Sequence, residues 1–403
     1  MNSAPSDFRQ GIPNWFNNHM KEYVVRWKAY DPFPFDQPDD TSSFIVLHEN
    51  DYLRLSSHPE VIAAKHKADM GSGGALIASA IYAGNSGEHG DFRRLIRECM
   101  RSEDVLLTTS GWTANVGLLE SLAGPETPVY MDMKAHASLW DGARLGRGNI
   151  VPCRHNDVAS MEKRIKRYGK GVICIDSYYS IDGSIADLQG YVEIAERNDC
   201  LLVVDEAHSF GMVGPEGGGM AVQMGLQDRI PFRTVSLSKA IGGNGGFIAG
   251  RKDAIWYLKH RARAVIFSTN PSPGTSAGNM AALKILMHEP HRAKHCLEMG
   301  ALLRRKFREL DIHPEDSGCQ IVSLKFNTDP LAASFYGAMR DRGILLSVFT
   351  EPAVPKDTSL ARFSIHCNIS PEDIEKVAKE AAECARILGV RFRGSKAGET
   401  AAV

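Results

Sequence analysis

Between residues 46 and 280 the sequence alternates short, β-rich apolar runs with helix-length amphipathic segments, and this alternation limits the folds open to the chain. Strand candidates are Val105–Thr108, Val129–Asp132, Val172–Asp176, Leu201–Asp205, Thr234–Ser238 and Gly246–Ala249, and the segment Asp187–Asn198 reads as a helix. Apolar strands alternating with helices are buried on both faces, as in a mostly parallel sheet sandwiched by helices. The expected fold class is therefore α/β, with one large domain over 46–280. After 280 the pattern changes. A long helical stretch, Ala281–Leu310, leads to a strand at Gln320–Lys325 and a helix near Pro330–Arg342. Strands near Ile344–Val348 and Ala361–Ile365 follow, then a helix from Pro371 to about Leu388. This predicts a smaller C-terminal α+β domain over 281–390. Residues 1–45, with the proline-rich run Asp31–Pro38, read as an N-terminal arm with one short helix, and the polar residues 391–403 as a frayed tail.

Bulk composition narrows the partners. With 403 residues, 43% of them hydrophobic, the chain can bury a large core. Its 47 basic and 48 acidic residues leave a net charge of -1, which favours neither nucleic acid nor an anionic membrane. No apolar run reaches the roughly 18 residues a membrane span needs. The start Met1-Asn2-Ser3-Ala4-Pro5 lacks the apolar core of a signal peptide. The eight cysteines form no CxxC pair and read as free thiols in a reducing compartment, so the expected location is cytoplasmic.

In an open parallel sheet, ligand-binding groups collect at the carboxyl ends of the strands. Asp205 stands at such an end, after Leu-Leu-Val-Val and before Glu206-Ala-His208. Ser236, Ser238 and Lys239 end another run, directly before the loop Gly242-Gly-Asn-Gly-Gly246. Ser110-Gly111-Trp112 follows a third and opens a helix. A lysine desolvated beside such a loop loses pKa from about 10.4 and offers a neutral amine for a Schiff base. A pyridoxal cofactor needs a carboxylate at its ring nitrogen, and Asp205 is the candidate. Its phosphate needs backbone N–H groups at a helix start together with hydroxyls, and Gly111, Trp112 and Ser236 meet that need.

Taken together, the motifs resemble one family. They are Asn50-Asp-Tyr-Leu53, Gly71-Ser-Gly-Gly74, Ser110-Gly-Trp-Thr-Ala-Asn115, His136-Ala-Ser-Leu139 and Ser180-Ile-Asp-Gly183 in the first half. Asp205-Glu-Ala-His-Ser-Phe-Gly211, Ser236-Leu-Ser-Lys-Ala240, Phe267-Ser-Thr269 and Arg362 complete the set. From about Asn50 to Val377 the chain resembles the α-oxoamine synthases, pyridoxal 5'-phosphate enzymes of the aspartate-aminotransferase fold type I. The resemblance implies a large domain with a mostly parallel sheet of seven-stranded type. It implies Lys239 as the Schiff-base and proton-transfer lysine and Asp205 as partner of the ring nitrogen. His208 and Ser180 would reach the ring oxygen, and His136 would stack on the ring. Gly111, Trp112 and Ser236 would bind the phosphate, with Ser268 and Thr269 supplied by the other subunit of a homodimer. Asn50 would lie by the substrate, and Arg362 would clamp its carboxylate. The implied reaction is a decarboxylative Claisen-type condensation of an acyl-CoA with a small L-amino acid, giving an α-aminoketone.

Details point to different members of the family. Trp140-Asp-Gly-Ala-Arg144, Arg154-His-Asn-Asp157 and Ser347-Val-Phe349 are similar to synthases of α-hydroxyketone quorum-sensing signals. Lys239-Ala-Ile-Gly-Gly-Asn-Gly-Gly246 and Val354-Pro-Lys356 are closer to glycine C-acetyltransferase and 8-amino-7-oxononanoate synthase. The reading His89-Gly-Asp-Phe-Arg93 departs from the family's pattern and leaves the contacts of that loop open. The signal-synthase branch is the expectation. A housekeeping synthase, a plain aminotransferase and a catalytically silent binding protein are the alternatives. No metal is expected: His288, His291, His295 and Cys296 read as a solvent-facing helix start after Pro290.

Overall fold

The structure is a computed structural model, and it describes residues 12–28, 38, 40–72, 78–82, 87–351, 353–355 and 357–392. The proline-rich stretch 31–37, Gly73, Gly74, Lys356 and the tail from 393 lie outside the described residues. The strands are β1 (Ile45–Leu47), β2 (Asp104–Thr108), β3 (Pro128–Asp132), β4 (Asn149–Cys153), β5 (Val172–Asp176) and β6 (Leu201–Asp205). They continue with β7 (Phe232–Ser236), β8 (Gly246–Gly250), β9 (Ile321–Lys325), β10 (Ile344–Phe349) and β11 (Leu360–Ser364).

Seven strands form one sheet in the order β2-β8-β7-β6-β5-β3-β4. Its members are parallel except β8, which runs antiparallel to both neighbours. Every residue of β3, β5 and β8 is buried, as a sheet covered on both faces requires. A second sheet of four strands, β1-β10-β11-β9, carries the C-terminal part of the chain. The strand Ile45–Leu47 pairs with β10 and so joins this smaller sheet. One apolar core runs through both sheets: Val105, Val235 and Phe247 of the large one share it with Val322, Leu346 and Phe363 of the small one. The two sheets are therefore packed as one body. Among the described residues no helix is long and apolar enough to cross a membrane, and all eight cysteines are free.

Three expectations are corrected. The edge strand β4 is absent from the predicted set because Pro152 interrupts its apolar run; an edge position tolerates proline. The stretch Ala281–Leu310 belongs to two helices, Pro273–His288 and His291–Glu309, because Pro290 cannot continue the first. The run expected at Thr234–Ser238 is shifted, since β7 ends at Ser236. There the Leu237 N–H turns to the Gly245 carbonyl and the Gly242 N–H to that of Lys239. Lys239 thus sits in the turn after the strand rather than at its end.

Beneath this turn lies a buried ion pair. Arg233 of β7 and Glu206, next to Asp205, are 3.8 Å apart and almost fully enclosed. Arg233 donates to the Met100 carbonyl at 2.7 Å, and the Glu206 carboxylate accepts from the Ala221 N–H at 2.9 Å. Burial pushes the Glu206 carboxyl up, and Arg233 opposes that. Replacing Arg233 by Met leaves the carboxylate enclosed without its cation and is expected to cost about 3 kcal/mol in denaturant unfolding at neutral pH. Glu206 then binds its proton more tightly folded than unfolded. The loss should therefore shrink as pH falls and disappear below the ordinary glutamate pKa of about 4.3, where the carboxyl is neutral in both states.

Candidate active site

The carboxyl ends of β5, β6 and β7 lie side by side, with Asp176 in register with Asp205 and Asp205 with Thr234. Asp205 is buried and bonded through both oxygens. Its Oδ1 accepts from the Ala207 N–H at 2.8 Å and its Oδ2 from the Asn115 amide at 2.6 Å. Both donors are neutral, so they hold the carboxylate's orientation without cancelling its charge. Burial and the neighbouring Asp205 push the Asp176 carboxyl well up. Its Oδ1 accepts from the backbone N–H of His136 at 3.1 Å.

Lys239 faces this floor. Burial lowers its amine to about 8, the Arg362 charge pushes the same way, and Asp205 opposes them. An amine with that pKa is neutral in roughly a tenth of molecules at pH 7, against far less than one per cent for an ordinary lysine, and the neutral form is what a nucleophile or proton acceptor needs. His208 is buried, and its Nδ1 meets the Tyr52 hydroxyl at 2.8 Å, leaving Nε2 as the other ring nitrogen. The Gln320 amide donates to the His208 carbonyl at 2.9 Å and fixes the backbone. Burial, Lys239, Arg362 and His136 together hold the His208 imidazole well below its ordinary pKa, so it is neutral. His136 caps the helix Ala137–Leu145, and its ring stands edge-on to the half-exposed Trp112 at 6.1 Å between centroids. Its pKa too is lowered, by burial first and Lys239 in support, against Asp205.

Arg362 comes from the small sheet. It stands on β11 opposite Ser347 of β10 and Ser323 of β9. Its guanidinium donates to the Ser180 carbonyl at 2.7 Å and to the Asn50 side-chain oxygen at 3.2 Å, and it lies 4.9 Å from the centre of the Phe349 ring. The side chain is 5% exposed, yet its Nε has no hydrogen-bond partner. No carboxylate pairs with it among the described residues. A buried cation without a counter-charge costs several kcal/mol. An anionic ligand would relieve that cost.

At the start of the helix Gly111–Leu122, the Ser110 side chain accepts from the Thr113 N–H at 3.0 Å. A Cβ on Gly111 would lie 2.6 Å from that of Ser236, and one on Gly246 would lie 2.6 Å from the Gly111 nitrogen. The glycines are therefore needed to bring the helix start against the serine turn. The Ser236 and Ser238 hydroxyls are 2.8 Å apart. This is a close-packed, hydroxyl-bearing helix N-terminus of the kind that receives a phosphate. The residues present fit pyridoxal phosphate: a lysine of lowered pKa, a carboxylate with fixed oxygens, neutral imidazoles and an anion cradle.

Lys239, Asp205, His136, His208 and Arg362 thus act on one another's charge, Asn50 and Ser180 touch Arg362, and Gly111 touches Ser236. Ser268 and Thr269 do not join them within the chain. The Ser268 hydroxyl donates to the Ala264 carbonyl at 2.6 Å, and Thr269 pairs with Ser79. His89 is tied to Ser276 at 2.7 Å and to Asn270 at 2.9 Å. His295 and His288 are bonded to the carbonyls of Ile369 and Lys284. Among the described residues no cluster of His, Cys, Asp or Glu is arranged to hold a metal. The quoted motifs contain Tyr52, Asn115 and Ser138 without a role for any of them, and Thr234 stands only as a strand residue; each orients a neighbour. Asn115 carries a signal: it is an amide inside the apolar helical run Ala114–Leu119.

Comparison with known proteins agrees with this geometry. The model of class I and II aminotransferases matches residues 42–380. The CAI-1 autoinducer synthase of Vibrio campbellii is 33% identical over 339 residues, 84% of this chain and 86% of the relative. The 8-amino-7-oxononanoate synthase of Anaeromyxobacter dehalogenans is 33% identical over 325 residues, 80% of this chain and 82% of the relative. A high-resolution structure of SPT with PLP superposes with a TM-score of 0.86 at 26% identity, covering 94% of this chain and all of that one. The chain belongs to the α-oxoamine synthases, pyridoxal-phosphate-dependent acyltransferases of the aminotransferase fold.

Proposed function

We propose that this enzyme condenses an acyl-CoA with a small L-amino acid, with loss of CO2, and that its α-aminoketone product serves an α-hydroxyketone signal. The observation that carries the condensation is Arg362, buried beside Lys239 and without a counter-ion among the described residues. An amino acid's carboxylate would occupy it in a bidentate pose. When bound, pyridoxal phosphate supplies a ring that accepts the electron pair left at the amino acid's Cα. Asp205 would hold a proton at the ring nitrogen, and the lowered amine of Lys239 would take the proton from Cα. His208, supported by Ser180, would bond the ring oxygen, and His136 would cover the ring face. Gly111, Trp112 and Ser236 would hold the phosphate. Cα then attacks the thioester carbonyl, the CoA thiol leaves, and the carboxyl group departs as CO2.

The signal branch is supported by the likeness to an autoinducer synthase. The equal identity to 8-amino-7-oxononanoate synthase supports a housekeeping acyltransferase as the second reading. A homodimer completes the site in this proposal, with Ser268 and Thr269 reaching the partner's phosphate. Phe267 beside them is 75% exposed and Tyr82, close to their partner Ser79, is 79% exposed. Such apolar surface favours burial against a second copy.

Thiol release measured over a matrix of acyl-CoAs and amino acids tests the assignment. Medium-chain acyl-CoA with 2-aminobutyrate should give the highest kcat/KM; a preference for pimeloyl thioester with alanine, or acetyl-CoA with glycine, would select the second reading. Lys239→Ala should lose about 10³-fold or more in thiol release. Arg362→Ala should raise the amino acid's KM by about 10²-fold, the worth of two charge-assisted hydrogen bonds, and an unchanged KM would refute the clamp. In the cofactor-free protein, labelling of Lys239 by an amine-reactive ester should rise with a midpoint of about 8. Removing the Arg362 charge should move that midpoint upward, because a nearby cation no longer disfavours the protonated amine.

A further inference from the structure

Asn115 is 2% exposed in the middle of the helix Gly111–Leu122, and every hydrogen-bonding group of its amide is used. Its Nδ2 donates to Asp205 Oδ2 at 2.6 Å and to Ser138 Oγ at 2.8 Å, and its Oδ1 accepts from the Thr234 hydroxyl at 2.6 Å. The orientation is forced, because an ionised carboxylate can only accept and so must face the NH2 group. The consequence passes one residue further. Ser138 Oγ already receives the amide proton, so its own O–H is free to donate. It lies 2.7 Å from His136 Nδ1. The Ser138 backbone N–H, which can only donate, points at the same nitrogen from 3.4 Å. Nδ1 is therefore an acceptor, and the single imidazole proton resides on Nε2.

We propose that Asn115 is a positioning residue that sets two members of the site at once: the orientation of the Asp205 carboxylate and, through Ser138, the tautomer of His136. It joins the floor of the cofactor site to its lid. The Thr234 hydroxyl anchors it from β7, in register with Asp205. Burial keeps the His136 imidazole neutral, as an accepting Nδ1 requires. The proposal rests on the reading that Asp205 and His136 enclose the pyridoxal ring. Its consequence for His136, however, is a property of the protein without cofactor.

The test uses 15N-histidine-labelled protein without cofactor, with the His136 signal identified by its loss in His136→Gln. The wild type should show the Nε2–H tautomer at this ring. In Asn115→Asp the volume is kept but a donor becomes an acceptor. The Ser138 hydroxyl should then turn to the new carboxylate, and the His136 signal should lose the signature of a bonded Nδ1. The same variant sets a second carboxylate against Asp205. Its affinity for pyridoxal phosphate in equilibrium dialysis should fall roughly tenfold or more. Ser138→Ala, a gentler change, should alter the His136 signal while lowering cofactor affinity less than Asn115→Asp does, because the arm from Asn115 to Asp205 is intact. A His136 signal unchanged in both variants, or cofactor affinity preserved in Asn115→Asp, would overturn the proposal. A wild type that binds no pyridoxal phosphate would instead sink the reading of the site, and the histidine signals alone would then decide for or against Asn115.

Discussion

A buried carboxylate at the end of a central parallel strand is the constraint around which this site is built. Among the described residues Asp205 has no bonded cation; its two oxygens are held by two neutral donors, the Ala207 N–H and the Asn115 amide. A salt bridge there would satisfy the carboxylate equally well but would also neutralise its field. In the proposed function the cation that would stand beside it is the protonated ring nitrogen of the cofactor. Lys239 and Arg362 follow the same logic. Both are buried, burial lowers both, and the Arg362 charge further disfavours the protonated Lys239, so the lysine is the group that yields. Guanidinium holds its proton to far higher pH than an amine, so the repulsion falls on the residue whose neutrality is useful.

The two charged groups come from different sheets. Asp205 ends a strand of the large sheet, and Arg362 belongs to the small one. Their relative placement therefore depends on the shared core that locks the sheets together. Asn50 and Tyr52, just after β1, stand at the junction. The Asn50 oxygen accepts from Arg362 at 3.2 Å and lies 3.4 Å from the Tyr52 hydroxyl, which meets His208 at 2.8 Å. A change in the packing of β1 on β10 would be felt at both Arg362 and the His208 imidazole.

Much of this is legible in the sequence, for a reason that also limits it. Asp205 follows four apolar residues, so its place at a strand end is a local fact. Gly111 and Gly246 are legible as turn residues, although their close approach to Ser110 and Ser236 is not. Thr234 and Asn115 are separated by 119 positions and meet only because a helix crosses the strand. Tyr52 and His208 are separated by 156. Pairings of this length leave no periodicity and no spacing rule. Local competition blurs the elements in the same way: Pro152 hides an edge strand, Pro290 divides a helix whose amphipathic pattern runs through it, and the turn hydrogen bonds of Leu237 and Lys239 shorten β7.

The two hydrogen-bond relays also explain why neutral histidines suit the site. One runs from Arg362 through Asn50 and Tyr52 to His208. The other runs from Asp205 through Asn115 and Ser138 to His136. Each ends on Nδ1 of its imidazole. Both rings therefore turn Nε2 away from the relay, and both are held neutral by burial. A protonated imidazole in either place would add a cation beside Lys239 and Arg362, where two already repel. With both imidazoles lowered, Lys239 is the strongest base of these three groups, so a proton removed from a substrate carbon would pass to it.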